Sequence, residues 1–398
     1  MNAIHTILAI GFWICIAAIL YAYAGYPILI AVCSRLFGRR KEPPEIADAD
    51  LPCVSLLIVA HNEQAVIEAR LRNALASDYP PDKLEIVVAS DGSSDATLAI
   101  VQRYRHRGVQ LLHDPQRRGK AATINAAIPQ LAGDIVILSD ANTEVDPTAL
   151  HRLARWFADS AVGAVCGRLL LSDPATGANA DGFYWRYETF LKRCEGRLGA
   201  LLGANGAIYA IRRECFVPIP PGTIIDDFVI PLLSKLKHGG AIIYDNDALA
   251  REETAPDVAS EFRRRARIGA GGFQAIGLLW RLSDPRRGWI ALAFCSHKVL
   301  RWCCPFFMLG ALALGAVLSG QALYRDLLLA QAGFYCIALA GALWPARARR
   351  APRLLRAVQL FTSMNAALLV GFWRWCNGAQ PATWEPTARP VIELRRAA

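Results

Sequence analysis

Zinc-type spacing is missing. The chain has 11 cysteines in 398 residues, yet no Cys-x-x-Cys pair and no Cys/His cluster, which excludes a structural zinc site. The cysteines are scattered, several of them inside apolar segments, and the adjacent Cys303 and Cys304 read as packing. That usage fits a reduced, cytosol-facing soluble part. Charge is also scarce, at 20% of residues against 54% hydrophobic. This is too apolar for a purely soluble protein and too charged for an all-membrane one, so a soluble domain with membrane segments is expected. The net charge of +10 does not point to nucleic acid, because the arginines cluster beside apolar spans: Arg35, Arg39 and Arg40; Arg347 to Arg356; Arg395 and Arg396. Such clusters are expected of cytoplasmic flanks at an anionic leaflet. A basic start and a small-residue cleavage site are both absent from the first apolar run, residues 4–36, which excludes a signal peptide. The run is long enough to cross a bilayer, and the basic residues after it place its C-terminal end in the cytoplasm.

After a proline-containing linker the hydrophobic period changes. Val54–Ala60, residues 84–90, 109–113 and 135–139 read as short buried strands, and residues 65–76, 96–104 and 119–131 read as the helices between them. This alternation predicts an α/β domain with a mostly parallel, Rossmann-like sheet. Three strands end in acidic or amide side chains, namely Asn62 with Glu63, Asp91, and Asp140. In an open parallel sheet, ligands bind beyond the carboxyl ends of the strands. Asp140, with a second oxygen two residues on at Asn142, is able to hold a hard divalent cation against a diphosphate. The same letters also make an ordinary turn after a strand.

The segments VSLLIVAHNE, EIVVASDGSSDAT, RRGKAATINAAI and ILSDANT, in that order, resemble an inverting nucleotide-sugar glycosyltransferase of family 2, with the GT-A fold, over roughly residues 52–270. The resemblance implies that Asp91 contacts the nucleotide, usually uridine, and that Asp140 and Asn142 hold Mg²⁺ or Mn²⁺ on the diphosphate. Asn142 departs from the family's second aspartate and removes one negative charge. Lys120 either faces the diphosphate or is a helix-start lysine facing water, and Asn125 bonds either neighbouring loops or substrate. Glu63 either contacts the ribose or caps the helix beside it.

The stretch around Asn205 and Gly206 is rich in small residues, which suits close approach by a bulky acceptor or a tight turn into a strand. By position it resembles the acceptor-side segment of membrane polysaccharide synthases. Asp226 and Asp227 open an apolar helix, where acidic residues are favoured in any case. The pair also resembles the family's glutamate–aspartate element, with Asp226 in the glutamate's place and Asp227 as the catalytic base. Further on, the run Arg264-Arg265-Ala266-Arg267-Ile268 resembles the Q-R-x-R-W signature of processive synthases. By that comparison Arg265 and Arg267 meet the diphosphate, while Ile268 replaces the tryptophan that underlies the acceptor sugar.

The resulting organisation is an anchor (1–37), a linker (38–51), the GT-A domain (52–270), interfacial helices (271–302), a membrane region (303–376) and a cytosolic tail (377–398). Residues 299–319 and 323–344 read as spans, and residues 357–373 as re-entrant or interfacial. The resemblance implies a multi-pass protein of the inner membrane with its catalytic domain in the cytosol. It would transfer a sugar from a UDP-sugar to a growing glycan, with an export partner or a second copy completing any pore. The alternatives are single transfer to a lipid-linked acceptor and a catalytically silent scaffold of the same fold.

Overall fold

The structure, a computed structural model, describes residues 3–172, 182–254, 258–344, 352–381 and 383. The chain forms two compact units. A helical unit takes Met1–Ile30, Val258–Ile276 and Phe294–Gln380, and a sheet unit takes Ala31–Asp257 and Gly277–Ala293.

In the sheet unit the strands are β1 (Val54–Ala60), β2 (Leu84–Asp91), β3 (Val109–Asp114), β4 (Ile135–Asp140), β5 (Glu144–Val145), β6 (Val162–Ser172), β7 (Tyr209–Arg212) and β8 (Ala241–Glu253). They lie in the order β3-β2-β1-β4-β7-β6-β8-β5. Strands β3, β2, β1 and β4 are mutually parallel, as the alternating pattern predicts. Every residue of β1 is buried, because helices cover both faces and leave no position for a polar outward side chain. Beyond β4 the sheet becomes mixed: β7 runs antiparallel to β4 and β6, whereas β8 is parallel to β6 and antiparallel to β5. Strand β8 has no counterpart in the sequence reading. Its Asp245-Asn246-Asp247 centre breaks the apolar run, and the register with β6 skips there, from Cys166↔Tyr244 to Arg168↔Leu249.

The helix Asp226–His238 carries two acids in its first turn, Lys235, Lys237 and His238 in its last, and a left-handed Gly239 after it. That arrangement matches the helix dipole at both ends. It also sets Asp226 and Asp227 at the helix N-terminus.

Among the described residues three helices are long and apolar enough to cross a membrane: Ala3–Leu36, Trp289–Val317 and Arg353–Cys376. Two sequence expectations change here. No break separates an interfacial helix from a span at residue 302, since Trp289–Val317 is one continuous run. His297 and Arg301, inside the stretch read as interfacial (271–302), are buried at 2% and 8% exposure. His297 stacks on Tyr26 and Arg301 lies over the Tyr23 ring, as polar groups in apolar helices pack against partners rather than lipid. Arg353–Cys376 is unbroken over 24 residues, so residues 357–373, read as re-entrant or interfacial, make no re-entrant turn and lie in one helix long enough to span. Its Gly371 is needed for packing, because a Cβ there would stand 2.6 Å from the Ala266 carbonyl of the helix Val258–Leu278. The helix Ala322–Ala342, which covers most of the span read at residues 323–344, is continuous but is not among these three, its first turns carrying Arg325 and Asp326. Much of the basic loop read at residues 346–356, and most of the tail read at 377–398, lie outside the described residues.

Candidate active site

The strand ends that the sequence brings to one edge do converge in the sheet unit. Asp91, at the end of β2, is fully buried, and its carboxylate accepts the backbone N–H groups of Arg118 at 2.6 Å and Gly119 at 2.9 Å. It thereby fixes the loop that delivers Lys120. Asn62 sits at φ 53°, where asparagine is tolerated, and its Oδ1 accepts from Ser94 N at 2.8 Å. Glu63 donates its backbone N–H to Thr97 Oγ1 at 2.9 Å, and its carbonyl accepts from Val66 and Ile67. Asn62 and Glu63 thus tie the loop after β1 to the loop after β2. The Asn125 side chain bonds both N and O of Ile219, at 3.1 and 2.7 Å, which selects its loop-bonding role.

Lys120 is the hub. Its ammonium lies 2.7 Å from Asp140 Oδ1 and 3.3 Å from Asp226 Oδ2. The second contact is an ion pair without hydrogen-bond geometry, which leaves Asp226 Oδ2 buried and without a hydrogen bond among the described residues. Burial works against the Lys120 charge, but Asp140, Asp226 and Asp227 outweigh it and raise the amine above its usual range. The sequence alternatives for Lys120 therefore resolve: it faces the carboxylates, not water.

Asp227 stands apart from that ion pair. Its Oδ2 accepts the Gly206 N–H at 2.9 Å, and its Oδ1 accepts its neighbour Phe228 N–H at 3.0 Å. Burial, reinforced by the negative charge of Asp226, pushes its carboxyl up from 3.8 to about 6. Gly206 is the floor between the two sides: a Cβ there would lie 3.0 Å from Asp140 Oδ2 and 3.6 Å from Asp227 Oδ2. Asn205 bonds the Gly167 carbonyl at 2.9 Å and accepts from Lys192, so it braces the Gly206 turn.

Three residues at the site carry no sequence signal. Lys192, on the helix Phe183–Arg197, supports the ionised form of Asp227 through its charge. Tyr209 is 1% exposed, its hydroxyl has no hydrogen-bond partner among the described residues, and burial followed by Asp226, Asp227 and Asp140 raises its pKa well above the usual value. Arg70 is 3% exposed and bonds Asn73, which clasps Val145 just after the Asp140 turn. Burial lowers its guanidinium to about 10, with Asp140 opposing that shift. Arg70 lies on a helix of mixed polar and apolar residues, and Lys192 is far along the chain from both Asn205 and Asp227, so spacing reveals neither.

Among the described residues no group of three or more His, Cys, Asp or Glu side chains is placed to hold a metal alone. The Asp140 carboxylate and the Asn142 amide supply hard oxygen donors at one turn. That set fits a divalent cation arriving on a nucleotide diphosphate, since Mg²⁺-type ions are commonly held by one or two carboxylates plus phosphate oxygens. Arg265, Arg267 and Ile268 belong to the helical unit, where Arg265 pairs with Glu261 at 2.7 Å.

Residues 55–214 match the family model described as glycosyl transferase family 2. The chain carries a glycosyl transferase family 2 domain. Around that domain, 73% of the chain is 27% identical to a beta-monoglucosyldiacylglycerol synthase of Synechocystis sp., covering 63% of that protein. A poly-beta-1,6-N-acetyl-D-glucosamine synthase of Staphylococcus aureus is 27% identical over 58% of each chain. The chain thus spans about three fifths of the length of these curated relatives. In fold it is similar to a mannosyltransferase from Pyrobaculum calidifontis solved with GDP-Man and Mn2+, with a TM-score of 0.70 at 24% identity over 92% of this chain and 99% of that one. The family 2 domain therefore has the GT-A fold expected from its motifs.

Proposed function

We propose that the chain is a membrane-anchored, inverting glycosyltransferase. It moves a sugar from a nucleoside diphosphate donor, by its motifs a UDP-sugar, to a hydroxyl of a glycan or lipid-linked acceptor in cell-envelope synthesis. The observation that carries this reading is the pairing across Gly206 of a cation-bound carboxylate, Asp140, with a carboxylate poised near neutral pH, Asp227. Transfer needs both. An acceptor hydroxyl is a poor nucleophile until a base takes its proton during attack, and a carboxylate of raised pKa serves near the working pH. Asp227 takes that proton, and the acceptor oxygen attacks the anomeric carbon from the face opposite the nucleotide.

As the bond to the donor breaks, negative charge builds on the departing diphosphate. Lys120 is placed to leave its carboxylates for that charge, and the Asp91-anchored loop holds its backbone in position. Asp140 and Asn142 would hold Mg²⁺ or Mn²⁺, whose chemistry is to neutralise the leaving group. Arg265 and Arg267 add guanidinium groups for the diphosphate. The N-terminal helix anchors the protein in the inner membrane, with the basic residues after it on the cytosolic side.

Addition of one or a few sugars is favoured over long processive growth by Ile268, a branched alkyl group that gives a sugar ring less stacking area than an indole. The named relatives make a glycolipid in one case and a polysaccharide in the other, so product length decides between the two. The test supplies purified protein with radiolabelled UDP- and GDP-sugars and membrane lipid extracts. Transfer from a UDP-sugar to short products supports the reading. Long polymer formed early beside unused acceptor refutes single addition, and no transfer from any donor favours the silent scaffold.

A further inference from the structure

Away from the candidate active site, the sheet unit has a cavity of about 570 Å³, lined by none of the site residues described above. Its walls bring together six basic side chains, among them Arg39, Arg40, Arg193 and Arg197, against three carboxylates. The fold builds it from a bulge. Where β8 skips register, residues 245–248 face the single Gly167 of β6, and bulges are features that re-aim side chains at strand edges. Asp245 in the bulge is already engaged, by Trp156 Nε1 at 2.7 Å and Arg155 at 3.2 Å. Arg193 is held by Asn246 at 3.1 Å. The guanidinium groups of Arg39, Arg40 and Arg197 have no hydrogen-bond or ion-pair partner among the described residues. Arg39 and Arg197 are nevertheless fixed side by side, because the Arg39 N–H donates to the Arg197 carbonyl at 2.9 Å. Positive charge is crowded nearby as well: the Lys235 amine is lowered by burial and then by Lys41 and Arg287.

The location of this cavity along the chain identifies its ligand. Arg39 comes three residues after Leu36, the end of the first candidate span. Phe37 stacks on Trp289 with ring centroids 5.9 Å apart, and Trp289 opens the second span. Trp280, 63% exposed, lies beneath the Arg281 guanidinium. Tryptophan and arginine at the ends of apolar spans mark headgroup level. Planar guanidinium groups pair with phosphate oxygens in bidentate fashion.

We propose that this cavity seats the phosphate of an anionic phospholipid headgroup, separately from the catalytic cleft, and so fixes the sheet unit to the anionic leaflet. The inference rests on the membrane anchorage proposed above. A zwitterionic headgroup carries the same phosphate beside a choline cation, which the arginine cluster repels.

The test uses the full chain in detergent, with native mass spectrometry of equimolar phosphatidylglycerol and phosphatidylcholine. Retention of phosphatidylglycerol about tenfold above phosphatidylcholine is expected, given the strength of charge-assisted bonds. In R39Q/R197Q the two lipids should be retained about equally, whereas R39K/R197K should keep most of the preference and so show that the site folds. R105Q/R107Q, which removes exposed arginines outside the cavity, should keep it fully. A preference that survives in R39Q/R197Q overturns the proposal, and so does inorganic phosphate stabilising the wild type as well as phosphatidylglycerol does, since that indicates a soluble anion. Membrane fractionation of each variant separates the outcomes: a chain that leaves the membrane refutes the anchorage, whereas one that stays but loses lipid preference leaves anchorage standing.

Discussion

Asp140 and Asp227 lie on either side of Gly206 and are treated differently by the fold. On the donor side Asp140 is paired with Lys120 and has the buried Arg70 behind it. On the acceptor side Asp227 receives only backbone N–H groups and sits beside another carboxylate. The first environment stabilises negative charge and concentrates cations where a diphosphate departs. The second penalises negative charge and keeps a proton acceptor near its useful range. Two groups of one residue type, pushed apart by their surroundings, mark out separate chemical roles.

The largest expected effect removes the acceptor side alone. Asp227→Asn keeps the shape and an oxygen for the Gly206 N–H but not the proton acceptor. Turnover should fall by roughly 10²–10⁴-fold while nucleotide-sugar affinity stays close to wild type. Asp226→Asn should cost less. Calorimetric donor binding alongside steady-state rates checks this, and a variant retaining near-full turnover removes Asp227 from the base role.

Between those two residues stands Gly206. Gly206→Ala places a methyl 3.0 Å from Asp140 Oδ2, a tighter approach than the packing accepts without a shift. The contact with Asp227 Oδ2, at 3.6 Å, is ordinary, so the strain falls on Asp140. A displacement there of a few tenths of an ångström should lower kcat/KM by about 10–100-fold, since misplacement at a reacting centre is costly. Thermal unfolding should change little by comparison. If the alanine variant is fully active, Gly206 does not set the spacing.

Much of the donor side was legible in the sequence, because Asp91 and Asp140 sit at the ends of short apolar strands whose pattern announces them. Lys120 opens a helix instead, and the sequence left it between the diphosphate and water. The acceptor side was legible only in part. Gly206 and Asp227 were found through resemblance, but Lys192 and Tyr209 come from elements whose contact depends on how the mixed half of the sheet folds back. Strand β8 escaped because its polar bulge interrupts the hydrophobic period, and Arg70 because a buried guanidinium on a partly exposed helix looks like any surface arginine.

The pH profile sharpens the comparison further. With Asp227 raised to about 6, kcat/KM should fall about tenfold per pH unit below that value, as the base becomes protonated. Stability runs the other way. Asp227 holds its proton in the folded chain over a range where the unfolded chain, near 3.8, has already lost it. Its contribution is therefore most favourable at low pH and is lost as pH rises from about 4 to 6. Asp227→Asn should consequently stabilise the chain at pH 7, by on the order of 2 kcal/mol. Chemical denaturation of both forms at pH 5 and pH 8 measures this, and a destabilised asparagine variant at pH 8 contradicts the burial argument.

The smallest effect is on the donor side, where Asn142 supplies a neutral oxygen beside Asp140. Asn142→Asp adds a formal charge to the cation site, and a hard divalent ion gains more from a carboxylate than from an amide. The gain is limited because Lys120 and Arg70 already place positive charge around Asp140. The Mn²⁺ concentration for half-maximal transfer should fall by only about 3–10-fold, with turnover at saturating metal nearly unchanged. Mn²⁺ binding in the presence of UDP, followed by electron paramagnetic resonance, gives the same comparison without turnover. Should Asn142→Asp leave the metal dependence untouched, or should wild-type transfer persist in excess chelator, Asp140 would be a partner for Lys120 alone.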